Sequence, residues 1–452
     1  MLKTLGTFLP LNCLWSRESG NDRFAAGKIF IDWLSETGQN VWQMLPLSAN
    51  TWHGNEPYLH SPYFGYGVGL NPFFLYDHEK KLDFPKASEE FVEKNKYWLS
   101  DYCNFLAIAE KLGTDFWPDF PEDLKNHETK AVKDFSQKNS SRISYFVNQQ
   151  AFLHAKFAEL QEYAANKKVE LWGDMPFYLP LNSPLVWQSP RAFVFGQKGQ
   201  LEYFSGVTAG KNFGRQSWGH PLYDWNNPKS RETILGIWFD RLDYLSGLFN
   251  NIRLDHSIGF YKYCKLNSAD ENLDETLVGP GDSVVAKLLE YCRSIDLNIF
   301  MEDITDFESS ALHAFMKRVK VPGMSVLTMS IIAGRSGFDS RFFDVTKFRQ
   351  NHVFYTSTHD MLPLVPFLRR LTISQKKVLC RVLGVPYVKE LPALAASMRD
   401  QLVRKSKTLI VPIQDWLLGS ERINVPGEVS QRNWNYRMSV PVEAMNSTTS
   451  FL

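Results

Sequence analysis

The chain has 452 residues, a formal net charge of +1 at pH 7 and five cysteines, none of them in a CxxC pair. This length allows one large domain or several ordinary ones, and the balanced charge gives no electrostatic reason to expect a nucleic acid or a membrane surface as partner. The scattered cysteines indicate neither a disulfide framework nor a zinc site. We therefore expect a reducing compartment, the cytoplasm. Pro10 and Asn12 interrupt the first apolar run, so we expect neither a signal peptide nor a membrane-spanning segment.

In the first half of the chain, the spacing of apolar residues and the positions of turn residues predict two helical and three extended segments. They are a helix at 23–37, strands at 41–47, 70–75 and 169–177, and a charge-rich helical segment at 77–168. We expect the segment 77–168 to be a helical insertion that packs beside the main domain.

Residues 178–229 contain many aromatic residues among Gly, Pro and Asn, and much of the segment has the composition of a loop. A long irregular segment inside a compact domain is usually functional, and disordered segments lack aromatic residues. We therefore predict a substrate-binding insertion at 178–229.

The second half of the chain alternates between helical and extended patterns. The predicted helices are 230–249, 283–295, 308–318 and those within 374–401, and the predicted strands are 250–256, 297–303, 323–329, 353–360 and 408–415. Eight strands, most of them separated by helices, predict an α/β protein with one (β/α)8 TIM barrel domain over 1–452. Large insertions would follow strands 2 and 3, with no separate C-terminal β-domain. An open doubly wound sheet is the alternative, but it would carry a phosphate-binding turn, and neither GxGxxG nor GxxxxGK[ST] occurs.

The strand at 250–256 has an unusual charge pattern. Ile252 and Leu254 lie on one face, while Arg253 and Asp255 lie on the other. A strand that follows a packed helix should be buried, and buried charges are costly unless they are paired or used. Two interpretations fit this stretch equally well: a structural ion pair, and a carboxylate nucleophile that the adjacent guanidinium keeps ionised.

Four acidic residues lie at the C-terminal ends of predicted strands, and two of them have a basic neighbour. They are Asp174, Asp255 with Arg253, Glu302, and Asp360 with His359. In a barrel these ends surround one mouth, where the chemistry takes place, so we favour a catalytic site over purely structural salt bridges. The sequence has no HxH, HExxH or GxSxG, which leaves carboxylate chemistry of the kind that cleaves glycosidic bonds with retention. The aromatic insertion would supply flat faces on which sugar rings stack.

Short motifs run in order along nearly the whole chain. They include Leu-Pro-Leu at 9–11, Trp-Gln-Met-Leu-Pro-Leu at 42–47, Ser-Pro-Tyr at 61–63, Gly-Asp-Met-Pro at 173–176, Trp-Gly-His-Pro-Leu-Tyr-Asp-Trp at 218–225, Arg-Leu-Asp-His at 253–256, Glu-Asp at 302–303, Thr-His-Asp at 358–360, Pro-Ile-Gln-Asp at 412–415, Asn-Val-Pro-Gly at 424–427 and Asn-Trp at 433–434. With these motifs the chain resembles the amylomaltases, the 4-alpha-glucanotransferases of glycoside hydrolase family 77.

The resemblance implies a role for each candidate residue. Asp255 would be the nucleophile, Glu302 the general acid/base, and Asp360 the group that holds the donor sugar and stabilises the transition state. The expected substrate-binding residues are Arg253, which would also orient and ionise Asp255, together with His359, Asp174, Tyr63, Ser61, Trp218 and His256. We expect Asp255 to stay ionised and Glu302 to have a raised pKa, because an acid catalyst must hold its proton near neutral pH.

The implied reaction moves a segment of an α-1,4-glucan to the 4-hydroxyl group of another glucan, without a metal or another cofactor. Hydrolysis of the same glucans uses the same machinery, and a non-catalytic glucan-binding protein would have lost Asp255 or Glu302, which are both present. We expect a monomer or a weak homo-oligomer. The chain departs from the family pattern at 206–213 and 361–364. In the family the first of these loops holds the glucan and excludes water, so its difference bears on chain-length preference and on the ratio of transfer to hydrolysis.

Overall fold

The computed structural model describes residues 3–20, 22–50, 61–75, 82–196, 201–209, 214–267, 269–304, 310–331, 337–428 and 430–447. Parts of four predicted features fall outside these ranges. They are residues 77–81 of the helical insertion, 197–200 and 210–213 of the aromatic insertion and its loop at 206–213, and 308–309 of the helix at 308–318.

Eight parallel strands form one sheet that is nearly closed into a barrel. β1 is Thr4–Phe8, β2 Val41–Gln43, β3 Glu170–Met175, β4 Asn251–Leu254, β5 Asn298–Met301, β6 Met324–Val326, β7 Val353–Tyr355 and β8 Thr408–Pro412. Their order in the sheet is β5-β4-β3-β2-β1-β8-β7-β6. The edge strands β5 and β6 approach each other where the Met301 N–H donates to the Pro322 carbonyl over 2.9 Å. This arrangement confirms the predicted (β/α)8 barrel.

Helices lie between most consecutive strands, as the sequence predicts. Their bounds are Arg23–Glu36 between β1 and β2; Glu89–Leu112, Glu122–Lys125, Thr129–Lys138 and Ser140–Asn166 between β2 and β3; Pro184–Gln188 and Pro228–Ser246 between β3 and β4; Asp282–Ser294 between β4 and β5; Ser310–Val319 between β5 and β6; Leu364–Arg370, Ile373–Leu383 and Leu391–Lys405 between β7 and β8; and Ile413–Trp416 after β8. Within the described ranges, no helix has both the length and the apolar character needed to cross a membrane.

Local sequence explains where the first helix starts and where the longer helix after β2 ends. The Asp22 carboxylate accepts a hydrogen bond from the Ala25 N–H and so caps Arg23–Glu36. Gly113 has a left-handed backbone with φ of 71° and ends Glu89–Leu112. The helices pack against the strands around a continuous apolar core. This core includes residues of the barrel strands and of the helices around them, and so fixes the strand ends that form the mouth.

The prediction of a barrel strand at 70–75 is wrong. Residues 72–74 form a 3-10 turn, and Gly65–Leu70 pairs antiparallel with Ser48–Asn50 outside the barrel. The missing barrel strand is β1, which pairs with β2 and β8. Gly6 at its centre weakens the strand signal in the sequence, but a Cβ atom there would lie only 2.6 Å from the Val41 Cβ atom. Close packing of β1 on β2 therefore requires Gly6, although this glycine weakens the sequence signal for the strand.

The segment after β3 is more ordered than its composition predicts. Tyr203–Val207 and Gln216–Ser217 join Lys262–Asn267 and Glu275–Val278 in a four-stranded antiparallel sheet. No pattern in the sequence indicates this sheet, because its strands are short and come from segments on both sides of β4. The sheet lies beside the mouth of the barrel, since Val207 and Thr208 at its end line the cavity described below.

Candidate active site

Adjacent strand ends bring the first group of candidate residues together. β3 and β4 are in a register that places Asp174 opposite Arg253. The Asp255 N–H donates to the Met175 carbonyl, and the Glu302 N–H donates to the Leu254 carbonyl, each over 3.0 Å. Three neighbouring strands therefore place their acidic side chains side by side on one rim of the barrel.

Arg253 is the centre of this group and is 5% exposed. Its Nη1 atom donates to Asp174 Oδ2 at 2.6 Å, and its Nη2 atom donates to Asp255 Oδ1 at 2.7 Å. The same Nη2 atom lies 3.1 Å from Glu302 Oε2. One guanidinium thus faces three carboxyl groups, and an excess of acidic groups at short range favours the retention of a proton among them.

The chain turns sharply after Asp255. His256 has a left-handed backbone with φ of 46°, which is uncommon for a residue other than glycine. This turn directs the His256 N–H to Glu302 Oε2 at a distance of 2.8 Å. The imidazole packs edge-on against Trp218, with ring centroids 4.7 Å apart, and burial lowers its pKa to about 4. His256 therefore holds Glu302 through its backbone and presents a neutral ring to the cavity.

The side chains of Asp255 and Glu302 lie next to each other, so the charge of each affects the pKa of the other. Burial raises the pKa of Asp255 well above its usual value, and the charges of Glu302 and Asp174 add to this effect, while Arg253 opposes it. Burial also disfavours the ionised form of Glu302, but Arg253, Asp255 and the His256 N–H outweigh it and lower the pKa of Glu302. These directions are the reverse of those expected from the sequence, which were an ionised Asp255 and a raised pKa for Glu302. The reason is the backbone N–H bond and the direct carboxyl contact, neither of which the sequence reveals.

Tyr63 links this group to His359. Its hydroxyl donates to Asp174 Oδ2 at 2.7 Å and lies 3.2 Å from His359 Nε2. The two rings are stacked with centroids 5.4 Å apart, and Trp434 lies 5.7 Å from both. Burial lowers the pKa of His359, which keeps the ring neutral at physiological pH. Ser61 is buried beside them, and its Oγ atom accepts a bond from the Tyr63 N–H at 3.3 Å.

Asp360 follows β7 on the opposite part of the rim. Its Oδ1 atom accepts a hydrogen bond from Asn424 Nδ2 at 2.7 Å, and its Oδ2 atom lies 3.4 Å from His359 Nε2. Arg422 donates to the Asp360 carbonyl oxygen. The motif around Asn424 was noted in the sequence, but its contact with Asp360 was not predicted, because the pair is 64 residues apart in the chain.

These side chains surround a cavity of about 260 Å³ at the mouth of the barrel. Every predicted site residue lines it except Asp174, which is 1% exposed and lies behind Arg253 and Tyr63. The side chains of Asp255, Glu302 and Asp360 are 24%, 25% and 34% exposed, so all three can reach a ligand. The cavity is also lined by residues to which the sequence assigns no individual role, among them Phe64, Phe177, Tyr178, His220, Asn424 and Trp434.

Both stretches that depart from the family pattern contribute to the cavity. Val207 and Thr208 come from the loop at 206–213, and Met361 comes from 361–364. Leu364 then begins the helix Leu364–Arg370. The described side chains of both stretches are therefore placed to contact a ligand at the mouth.

A protein-family model described as 4-alpha-glucanotransferase, glycoside hydrolase family 77, matches residues 70–443. Among curated proteins, the chain is 28% identical over 449 residues to a 4-alpha-glucanotransferase of Aquifex aeolicus, covering 90% of each chain. It is 27% identical over 480 residues to a chloroplastic/amyloplastic 4-alpha-glucanotransferase of Solanum tuberosum, covering 93% of this chain and 78% of the relative.

Solved structures show the same fold. An amylomaltase from Streptococcus agalactiae, solved in complex with acarbose, superposes with a TM-score of 0.81 at 22% identity and covers 99% of this chain and 97% of its own. An amylomaltase from Corynebacterium glutamicum gives a TM-score of 0.69 at 13% identity, with 98% and 73% covered. Because the family model matches most of its length, the chain belongs to glycoside hydrolase family 77, the 4-alpha-glucanotransferases.

Proposed function

We propose that this glucanotransferase works by a retaining double displacement, with Asp255 as nucleophile and Glu302 as general acid and base. The observation that carries this proposal is that one nitrogen atom of Arg253, Nη2, lies 2.7 Å from Asp255 Oδ1 and 3.1 Å from Glu302 Oε2, which holds the two carboxyl groups close together. Retaining glycosidases hold their two carboxyl groups about 5–5.5 Å apart, whereas inverting enzymes leave about 6.5–9.5 Å for a water molecule. The close contact of this pair therefore favours retention.

In the first step, Asp255 attacks the anomeric carbon of the donor glucan and the glycosidic bond breaks. Glu302 gives its proton to the leaving oxygen, so the departing glucan segment is a neutral alcohol and the retained segment is an ester of Asp255. In the second step, Glu302 takes a proton from the 4-hydroxyl of an acceptor glucan, and that oxygen displaces Asp255. Atoms and charges are then restored, and the new bond has the configuration of the old one.

We infer that substrate binding places the proton of the Asp255–Glu302 pair on Glu302. A glycosidic oxygen that lies beside Glu302 parts the carboxyl pair and offers Glu302 an acceptor for its proton. Arg253 lies closer to Asp255 than to Glu302, at 2.7 Å against 3.1 Å, so it stabilises an ionised Asp255 once the direct contact is broken. The pair thereby reaches the protonation that the reaction needs only when a glucan is bound.

The other residues of the site have two roles: some orient the donor sugar or the catalytic side chains, and others provide aromatic surface on which glucosyl units stack. Asp360, held by Asn424, is placed to accept hydrogen bonds from the donor sugar, and the neutral His359 ring lies beside it. Asp174 acts from behind, since it orients Arg253 and Tyr63 without lining the cavity. Trp218 and Tyr178 offer aromatic surface for glucosyl units, which supports a substrate-binding role for 178–229.

We further propose that α-1,4-glucans are the substrates and that one chain is sufficient for activity, as a monomer or a weak homo-oligomer. We also propose that residues 1–452 form one catalytic domain, with a helical insertion at 77–168. Every residue of the candidate site comes from the same chain and lies outside this insertion. A cytoplasmic location is supported by the five cysteines, which are all buried and free.

Incubation with maltotriose tests the proposed reaction. Transfer between two maltotriose molecules gives glucose and longer maltodextrins and leaves the number of reducing ends unchanged, because each bond broken is replaced by a bond formed. We therefore expect longer products together with a constant reducing-end count. Hydrolysis adds one reducing end for every bond cleaved, so a rising count with only shorter sugars would contradict transfer.

Removal of divalent ions should leave the activity unchanged. The proposed displacement uses carboxylates for attack and for proton transfer, and it needs no Lewis acid. Dialysis against a chelator, followed by the maltotriose assay, checks this prediction. A complete loss of activity that an added divalent ion restores would show that a step has been left out of the mechanism.

A further inference from the structure

A buried carboxylate below the rim binds both ends of the turn that carries Asp360. Asp415 is 1% exposed and follows β8 in the short helix Ile413–Trp416. Its Oδ2 atom accepts hydrogen bonds from Thr356 Oγ1 at 2.5 Å and Ser357 Oγ at 2.8 Å. Its Oδ1 atom accepts one from the Leu364 N–H at 2.6 Å. One side chain thus connects the exit of β7 to the start of the helix Leu364–Arg370.

The residues between these two attachments form the part of the rim that faces the cavity. Thr358, His359, Asp360 and Met361 all line it, whereas Thr356, Ser357 and Asp415 do not. The turn is also held from above, because the Asn424 N–H donates to the His359 carbonyl at 3.0 Å. Asp415 is therefore placed to fix the position of Asp360 without touching a ligand.

The donors around Asp415 suit a carboxylate, because burial raises its pKa and these donors oppose that effect by lowering it. All three partners of Asp415 are donors in this arrangement, and an ionised carboxylate is an acceptor only. An asparagine would have to turn its NH2 group toward at least one of these donors, which leaves that donor without an acceptor in a buried place. The amide has the same shape, so this substitution changes hydrogen bonding and leaves the packing nearly unchanged.

The position of Asp415 is itself fixed by Arg399. The Arg399 Nη1 atom donates to the main-chain carbonyls of Asp415 and Trp416 at 3.1 and 3.2 Å, and the guanidinium lies over the Trp416 ring at 4.9 Å. These contacts hold the backbone of Ile413–Trp416 and leave both carboxylate oxygens of Asp415 to the turn. The anchor therefore has contacts of its own, and it follows a different strand from the turn that it binds.

We propose that Asp415 is a positioning residue that sets Asp360 at the height and angle needed to bind the donor sugar in the transition state. This inference rests on the proposed role of Asp360. A displacement of about 1 Å at a reacting group can cost on the order of 100-fold in rate, so we expect a loss of that size in kcat when the anchor is removed.

A double-mutant cycle tests the inference. Asp415→Asn is measured in the natural background and in an Asp360→Asn background, with kcat for maltotriose expressed per folded protein. If Asp415 acts through Asp360, its replacement lowers kcat on the order of 100-fold in the natural background. It then has little further effect once Asp360 has lost its charge, because residues that act as a unit are not additive.

Asp115→Asn is the matched control. Asp115 is also 1% exposed, its Oδ1 atom accepts a hydrogen bond from Asn182 at 3.1 Å, and it does not line the cavity. We expect this variant to lose thermal stability but to keep the kcat of its folded fraction. If Asp115→Asn and Asp415→Asn lowered kcat equally, or if the Asp415 loss were the same in both backgrounds, the positioning role would be refuted.

A second pair of variants covers the case in which Asp415→Asn does not fold. Thr356→Val and Ser357→Ala each remove one donor from the contact and leave Asp415 charged. Each should lower kcat in the natural background and have little effect beside Asp360→Asn, and unchanged kcat values would overturn the inference. If Asp360→Asn alone kept full activity, the result would refute the proposed role of Asp360 itself, on which the inference about Asp415 rests.

Discussion

Replacement of Asp255 by asparagine should lower kcat for maltotriose by roughly 10⁴-fold or more, the scale on which the loss of a catalytic nucleophile is felt. The amide has the shape of the carboxylate but cannot attack the anomeric carbon or form the ester. Glucan binding should survive, because the aromatic and hydroxyl-binding groups that line the cavity are unchanged. Initial rates and calorimetric titration with maltotriose measure the two effects separately.

Asp303→Asn provides the control on the same rim. The Asp303 carboxylate accepts a hydrogen bond from the Met324 N–H at 2.9 Å and does not line the cavity. This variant should retain kcat in its folded fraction. If Asp255→Asn had a kcat close to that of the natural protein, Asp255 could not be the nucleophile.

Replacement of Glu302 by glutamine should separate natural from activated donors. With maltotriose the leaving group is a poor one, so the loss of the acid should cost about 10²–10⁴-fold in rate. With a maltosyl fluoride as donor, the fluoride ion leaves without being protonated. The first step should therefore be largely unaffected, because Asp255 and Arg253 remain. The second step then lacks its base, and azide, a nucleophile that needs no base, should accelerate turnover. The rates with both donors, with and without azide, check this prediction.

The difference between the donors is the decisive feature of that experiment. A structural defect would slow both donors by the same factor, and azide would not help. Equal losses without azide rescue would therefore mean that Glu302 is not the acid/base, even though it lies beside Asp255. The glutamine side chain can still accept the hydrogen bond from the His256 N–H, so the variant keeps this contact.

The rule that acidic strand ends meet at one mouth of a barrel was sufficient to assemble the centre of the site from the sequence. It places Asp174, Arg253, Asp255 and Glu302 on adjacent strands, and the register of β3 and β4 does bring Asp174 to Arg253. The same rule could not distinguish residues that line the cavity from residues that hold the lining residues in place. Asp174 was expected to bind sugar, but the structure places it behind Arg253, because depth below the rim depends on the stagger of the strands.

Contacts between distant segments account for most of what the sequence left undetermined. Asn424 reaches Asp360 across 64 residues, and Asp415 reaches Thr356 across 59. Neither contact leaves a periodic pattern in the chain. The protonation of the Asp255–Glu302 pair depends on a backbone N–H and on direct contact of the side chains, which only the folded structure defines. Local signals likewise missed β1, whose Gly6 serves close packing on β2.

The covalent ester on Asp255 is the most direct test of the mechanism. The Glu302→Gln protein should form this ester with a maltosyl fluoride and lose it only slowly, because no base activates the acceptor. Mass spectrometry of the intact protein should show the mass of one maltosyl group, and peptide mapping should place it on the peptide that contains Asp255. An adduct on another carboxylate, or no adduct while the fluoride is consumed, would contradict the double displacement at Asp255.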